Sequence, residues 1–114
     1  MTAAQVRNAL IQIARNGEAL GKLIGDQSYE QFAADDLTAN AAERCLIRMA
    51  NATAALERSG HGGVITSTAT RQVVKLRNEL VDQTRPGDLD RVYVIAVDCA
   101  PVVRADAIRA LASP

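Results

Sequence analysis

Tryptophan is missing from this chain, and the only other aromatic residues are Phe32, Tyr29 and Tyr93. So few rings argue against a sheet protein, whose strands favour aromatic and β-branched residues. They also argue against a single-strand binder that stacks bases on aromatic platforms. There is one histidine, His61, and two cysteines, Cys45 and Cys99, far apart in sequence. That inventory assembles no metal site by spacing. The cysteines fall in helical patterns and read as reduced thiols packed as small core residues. Charge of one sign is also lacking, since thirteen basic side chains balance thirteen acidic ones. No overall field draws the chain to nucleic acid or to an anionic membrane, so any RNA contact must come from a local patch. No apolar run approaches the roughly 18 residues of a membrane helix. The opening MTAAQVRNALIQIARNG is broken by Arg7 and Arg15 and does not read as a signal peptide. The expectation is a soluble, cytoplasmic protein with no membrane contact.

Alanine is abundant instead, and 114 residues suit one domain, 1–114, with a core of its own. Ala3, Val6, Leu10, Ile13, Gly17, Leu20 and Ile24 recur at steps of three and four, predicting a long helix over about 3–24. SYEQFAADD follows as a connection with a helical turn at 29–33, and Asp35 or Asp36 caps the next helix. Leu37, Ala41, Cys45, Met49, Ala52 and Leu56 form the apolar stripe of that second long helix. SGHGGVITS, residues 59–67, breaks the pattern. It lacks the Lys-Ser/Thr ending of a phosphate loop, and His61 reads as a solvated loop residue. A third helix runs over about 68–84, with Val73, Leu76, Leu80 and Val81 inward. Arg85-Pro86-Gly87-Asp88 makes a turn, with Asp88 capping a fourth helix that carries Leu89, Val92, Ala96, Cys99, Val103, Ala107 and Ala110. Pro101 lies inside that helix and must kink it or remove one backbone bond. The expected fold is all-α: an antiparallel up-down four-helix bundle with an extra short helical turn between helices 1 and 2.

Composition and periodicity stop there; the order of particular residues goes further. FAADDLTANAAERCL resembles a pattern Phe-x-x-Asp-x-x-Thr-x-x-Ala-x-x-Arg-x-Leu, held here by Phe32, Asp35, Thr38, Ala41, Arg44 and Leu46. LRNELV at 76–81 resembles the Met-Arg-Asn-x-Leu-Val run that precedes a catalytic histidine in HepT-like proteins of the HEPN superfamily. Asp88-Leu89, Tyr93 and Pro101 are similar to that family's Asp-Leu, Trp and last-helix Pro, and the resemblance spans about residues 5–111. It implies an all-helical homodimer, the toxin of a toxin–antitoxin pair, acting as a ribonuclease without metal or other cofactor through an Arg-x4–6-His motif. The implied partner is a minimal nucleotidyltransferase antitoxin that adds AMP to a tyrosine two residues beyond the histidine.

Arg77 and Asn78 match the family's Arg-Asn, but Asp82 stands in the histidine's place and Thr84 in the tyrosine's. The Gly-Glu of the second helix appears as Ala50-Asn51, and the Trp before the motif as Thr70. Metal-free RNA cleavage needs a base for the 2′-OH, an acid for the leaving oxygen and a cation for the phosphate. Histidine, with a pKa of about 6.5, serves either proton role near neutrality. An aspartate starts at about 3.9, and a neighbouring arginine favours its ionised form. Loss of acid–base help typically costs about 10²–10⁴ in rate. The site Arg77, Asn78 and Asp82 is therefore expected to be catalytically impaired, and Thr84, which lacks a phenol, not to be modified.

Two placements of Arg77 remain: a cleft between helices or copies, where a buried guanidinium needs a carboxylate, or the free surface. Arg71, Lys75 and Arg85 are candidate phosphate contacts, with Arg44 and Arg48 also able to frame a cleft. Against Arg71, Lys75, Arg77, Arg85 and Arg91 stand Glu79, Asp82, Asp88 and Asp90, a net of one and a weak nucleic-acid footprint. The expected function is binding of a nucleotidyltransferase-like partner, RNA or a nucleotide through a dimer cleft. An active ribonuclease using Arg77 and Asp82, or an unrelated helical interaction domain, are the alternatives.

Overall fold

The computed structural model of the chain describes residues 1–65, 68–81 and 89–113, with the side chain of Val81 outside the described set. It is all-helical, and no strand occurs among the described residues. Helix α1 spans Ala3–Ile24. It starts where Thr2 Oγ1 accepts the Gln5 backbone N–H at 3.1 Å while Gln5 Oε1 accepts that of Thr2 at 2.8 Å, which satisfies two otherwise orphan donors. It ends at Gly25, whose φ of 54° suits a residue without Cβ. Leu10, Ile13, Gly17, Leu20 and Ile24 are buried as the spacing requires, whereas Ala3 at the end of the stripe is exposed.

The connection carries the expected helical turn, α2 at Tyr29–Ala33, capped by Ser28 and Gln31. It buries Phe32 completely and lays it against Tyr93 with ring centroids 5.3 Å apart. Tyr93 in turn donates its hydroxyl to the Gln27 carbonyl at 2.7 Å, tying the C-terminal part of the chain to this connection. Helix α3 spans Asp36–Arg58, and its cap is Asp35 rather than Asp36. Asp35 accepts the Thr38 N–H at 3.2 Å and the Thr38 hydroxyl at 2.6 Å.

The buried face of α3 differs from the expected stripe. Ala39, Ala42, Cys45, Leu46, Met49, Ala50, Thr53 and Leu56 are buried, while Leu37 is 83% exposed. The helix packs against both α1 and α4, so its inward face is wide and mixes alanines with Cys45, Leu46, Met49 and Leu56. Leu37 precedes Ala39 by two residues, about 200° around the helix, and so points away from both neighbours.

After the glycines, Gly62–Val64 form one 3₁₀ turn, and His61, expected in solvent, is partly buried with Nδ1 3.2 Å from the Ser59 hydroxyl. Helix α4, Thr68–Val81, buries Val73 and Leu76 and partly buries Leu80. Its expected extension to Thr84, the turn at 85–88 and the Asp88 cap lie outside the described residues. Helix α5, Leu89–Val94, runs through a π turn at Ile95–Cys99 into α6, Ala100–Ala112. Pro101 has no N–H to give to a carbonyl four residues back, and its ring crowds that carbonyl. The irregularity takes the form of the wider turn, in which the Ala100 N–H bonds the Ile95 carbonyl. Cys45 is buried and Cys99 partly so; burial pushes both thiols up, which keeps them protonated.

Helix α1 lies at the centre, against α3 on one side and α6 on the other. The α1–α6 approach is tight at Gly17, where an added Cβ would stand 2.9 Å from Arg104 Cβ. Nothing lies within 4 Å of the same position on Gly21. Gly17→Ala is therefore expected to lower stability by about 1 kcal/mol, overpacking outweighing the gain in helix propensity. Gly21→Ala should raise it by about 0.5–1 kcal/mol. Urea unfolding of the two variants checks the opposite signs.

The hydrogen bonds from Thr38 hold the Asp35 carboxyl below its usual value. A carboxyl lowered on folding stabilises above its unfolded pKa, and that stabilisation is lost as pH falls through the lowered folded value. Asp35→Asn keeps a capping oxygen but does not titrate. Its melting temperature should fall less than the parent's between about pH 4 and pH 2; equal slopes would exclude Asp35 as a source of acid sensitivity.

Candidate functional site

Because α3 turns one face to α1 and α4, the residues at 40, 43, 44, 47, 48 and 51 share its other side. Asn40, Glu43, Arg44, Ile47, Arg48 and Asn51 line a groove of about 480 Å³. Arg44 and Arg48 are exposed and one helical turn apart, which separates their Cα atoms by about 6 Å. Burial pushes the Glu43 carboxyl above its usual value.

Arg77 reaches this face from α4. Its Nη1 donates to Asn51 Oδ1 at 2.9 Å, while Nε and Nη2 donate to Asn78 Oδ1 at 3.1 and 2.6 Å. Leu76 beside it is buried, so the backbone is fixed by the core and the guanidinium emerges partly buried at the α3–α4 junction. The carboxylate expected for a cleft arginine is replaced by two amide oxygens. Amides orient a guanidinium without neutralising it, so these bonds leave its charge available to a further anion.

The remaining expected residues separate. Arg71 and Lys75 are exposed on α4 but do not line the groove. Glu79 and Arg91 form an ion pair at 2.6 Å joining α4 to α5, which removes both from the free charge of this region. Asp82, Thr84 and Arg85 lie outside the described residues. Asn40, Glu43 and Ile47 had no sequence signal beyond sharing a helical face with Arg44 and Arg48. Asn51 had one: it stands where the resembled family has an acid.

The groove itself sets Arg44 and Arg48 against Glu43, with amides at Asn40 and Asn51, and Arg77, which does not line it, is tied to it through its bond to Asn51. The two exposed arginines give this face the chemistry to pair with an anion; it carries no histidine, and among the described residues no cluster of His, Cys, Asp or Glu could hold a metal ion. Among the described residues, too, no helix is long and apolar enough to cross a membrane. No family model matches the chain, and neither a curated protein nor a solved structure matches it.

The bond between Asn51 and Arg77 is measurable. A double-mutant cycle of Asn51→Ala and Arg77→Ala should give a coupling of about 0.5–1.5 kcal/mol in unfolding free energy. Additivity within about 0.3 kcal/mol would show that the pair is not formed in solution.

Proposed function

We propose that this chain is a HepT-like protein of the HEPN superfamily that binds RNA through the α3–α4 groove and is impaired as a nuclease. In this reading α1, α3, α4 and the α5–α6 run are the four members of an antiparallel bundle, and the protein works in the cytoplasm as a homodimer. The observation that carries the reading is the presentation of Arg77. The arginine of the Arg-Asn pair is held by Asn78 and by Asn51, which itself lines the groove with Arg44 and Arg48, an arrangement expected for a phosphate-binding residue.

The chemistry divides between what these groups do and what they do not. Arginine forks hold phosphate oxygens and neutralise charge, and they are too basic to exchange a proton near neutrality. The proton transfers of metal-free cleavage fall to the position that Asp82 occupies, where an ionised carboxylate is a poor acid and repels the scissile phosphate. With no aromatic side chain lining the groove, recognition would run through the phosphate backbone and tolerate many sequences. The resemblance brings a minimal nucleotidyltransferase as partner; Thr84 would not accept its AMP.

The test is titration of labelled single-stranded RNA at several salt concentrations, with metal-free cleavage assayed alongside. Each of Arg44→Ala, Arg48→Ala and Arg77→Ala should weaken binding and reduce the salt slope by about 0.7. The parent should leave the RNA intact, while Asp82→His should gain cleavage that Arg77→Ala abolishes. Absence of binding at low salt would remove the RNA reading, and Arg77-dependent cleavage by the parent would remove the impairment.

A further inference from the structure

The start of α1 and the end of α6 meet beside the Gly-rich loop and leave a pocket between them. Helix α3 stops at Arg58, and Gly60, with φ 82°, turns the backbone there. The Gly60 N–H then reaches the Glu57 carbonyl at 3.1 Å and the His61 N–H the Leu56 carbonyl at 2.8 Å, which satisfies the helix end and fixes His61. His61 thereby joins the first turns of α1 and the last turn of α6 in lining about 390 Å³, a volume within the range of small-ligand sites. Leu10, on the inner side, is buried, while Val6, Ala110 and Leu111 are only partly covered by the protein itself. Apolar side chains left half-covered around a concave space gain from a tail that removes the rest of their surface from water.

The charge at this pocket has one sign. Arg7 is exposed and forms no ion pair among the described residues, so its guanidinium is uncommitted. No acid lines the pocket among the described residues. Ser59 has one hydroxyl proton and two carbonyls to take it, Ala55 at 3.0 Å and Leu56 at 3.1 Å. Its oxygen is therefore left to accept from His61 Nδ1–H at 3.2 Å, and Nε2 is the ring nitrogen left for a ligand. When the ring carries a second proton, Nε2 donates as Arg7 does. Ser113 spends its proton on the Arg109 carbonyl at 3.2 Å and adds no charge. One guanidinium forks one carboxylate and balances its single charge, whereas a phosphate monoester brings more. From Ala3 to Leu10 the wall runs about 10 Å along α1, the extended length of a medium alkyl chain.

We infer that this pocket binds a monocarboxylate with a medium alkyl chain, such as octanoate. Its carboxylate lies on Arg7 and His61, and its tail over Val6, Leu10 and Leu111. The pocket shares no lining residue with the α3–α4 groove, so the inference stands apart from the RNA reading.

Isothermal titration calorimetry of octanoate with the whole chain tests it, with circular dichroism confirming that each variant remains helical. Octanoate should bind at one site per chain. Hexanoate should bind more weakly by about 4- to 15-fold, according to how fully the two lost methylenes are buried. Octylammonium, with the same tail and the opposite charge, should not bind. Arg7→Gln should weaken octanoate by about tenfold or more, as loss of a charged hydrogen-bond partner does. Leu111→Asp should abolish binding, and Val6→Asp serves where Leu111→Asp fails to fold. Absence of octanoate binding, equal binding of octylammonium, or parental affinity in Arg7→Gln would each overturn the inference. Val97, exposed in the π turn, does not line the pocket. Binding lost in Val97→Glu but kept in Leu111→Asp would place the tail on that outer surface, and would overturn it too.

Discussion

With one phenylalanine and no tryptophan, the interior can be filled only by bringing backbones close together, and that closeness conditions the rest of the structure. Ala39, Ala42 and Ala50 on α3, and Ala96, Ala100 and Ala107 on the last run, are all buried. Gly17 takes the limit of this strategy, leaving no room for even a methyl group beneath Arg104. Close helices give dense contact over small side chains, and dispersion summed over many such contacts replaces the burial of a few large rings. The same closeness of α3 and α4 brings Arg77 within hydrogen-bonding reach of Asn51, 26 residues away in sequence.

Alanine also limits what can be read beforehand. Helix α1, with Leu10, Ile13, Leu20 and Ile24 marking its inner face, is legible because those residues have a clear preference for burial. So are the helical turn around Phe32 and, to within the pair Asp35 and Asp36, the cap that follows it, where side-chain chemistry specifies a local geometry. Helix α3 is the contrary case, since alanines on every side make several stripes fit equally well. The one bulky residue in its first turn, Leu37, marks the side that turns outward. The π turn is half legible. Pro101 announces that a bond is missing, but whether the helix bends or widens depends on the packing of Ile95 and Ala96 against the neighbouring helices, which no local signal encodes.

The site divides in the same way. Arg77 and Asn78 stand out by their order in α4, and Asn51 by its replacement of an acid, yet nothing in the sequence joins the two helices. Arg71 and Lys75 share α4 with Arg77 and invite the same role. Arg77 nonetheless lies about 240° around the helix from Arg71, so a side that faces α3 for one does not face it for the other. Arg44 and Arg48 share a face with Asn51 instead. Counting charge from Arg71 to Arg91 therefore understates the groove, whose lining cations come from α3, and it includes Glu79 and Arg91, which satisfy each other.

The identity of residue 51 bears most directly on the division between binding and catalysis. A carboxylate there would pair with Arg77 and cancel the charge offered to a phosphate, while an amide holds the same geometry and leaves the charge in place. Together with Asn78 it fixes three of the guanidinium nitrogens, so an arriving phosphate meets a cation whose orientational freedom is already restricted. Such a site gains in binding what it lacks in proton transfer, because a pre-oriented cation stabilises bound substrate and transition state alike unless a second group moves a proton between them. In the proposed reading, the loss of histidine at 82 and the amide at 51 act in one direction: they turn a groove suited to cleaving a phosphodiester into one that holds it.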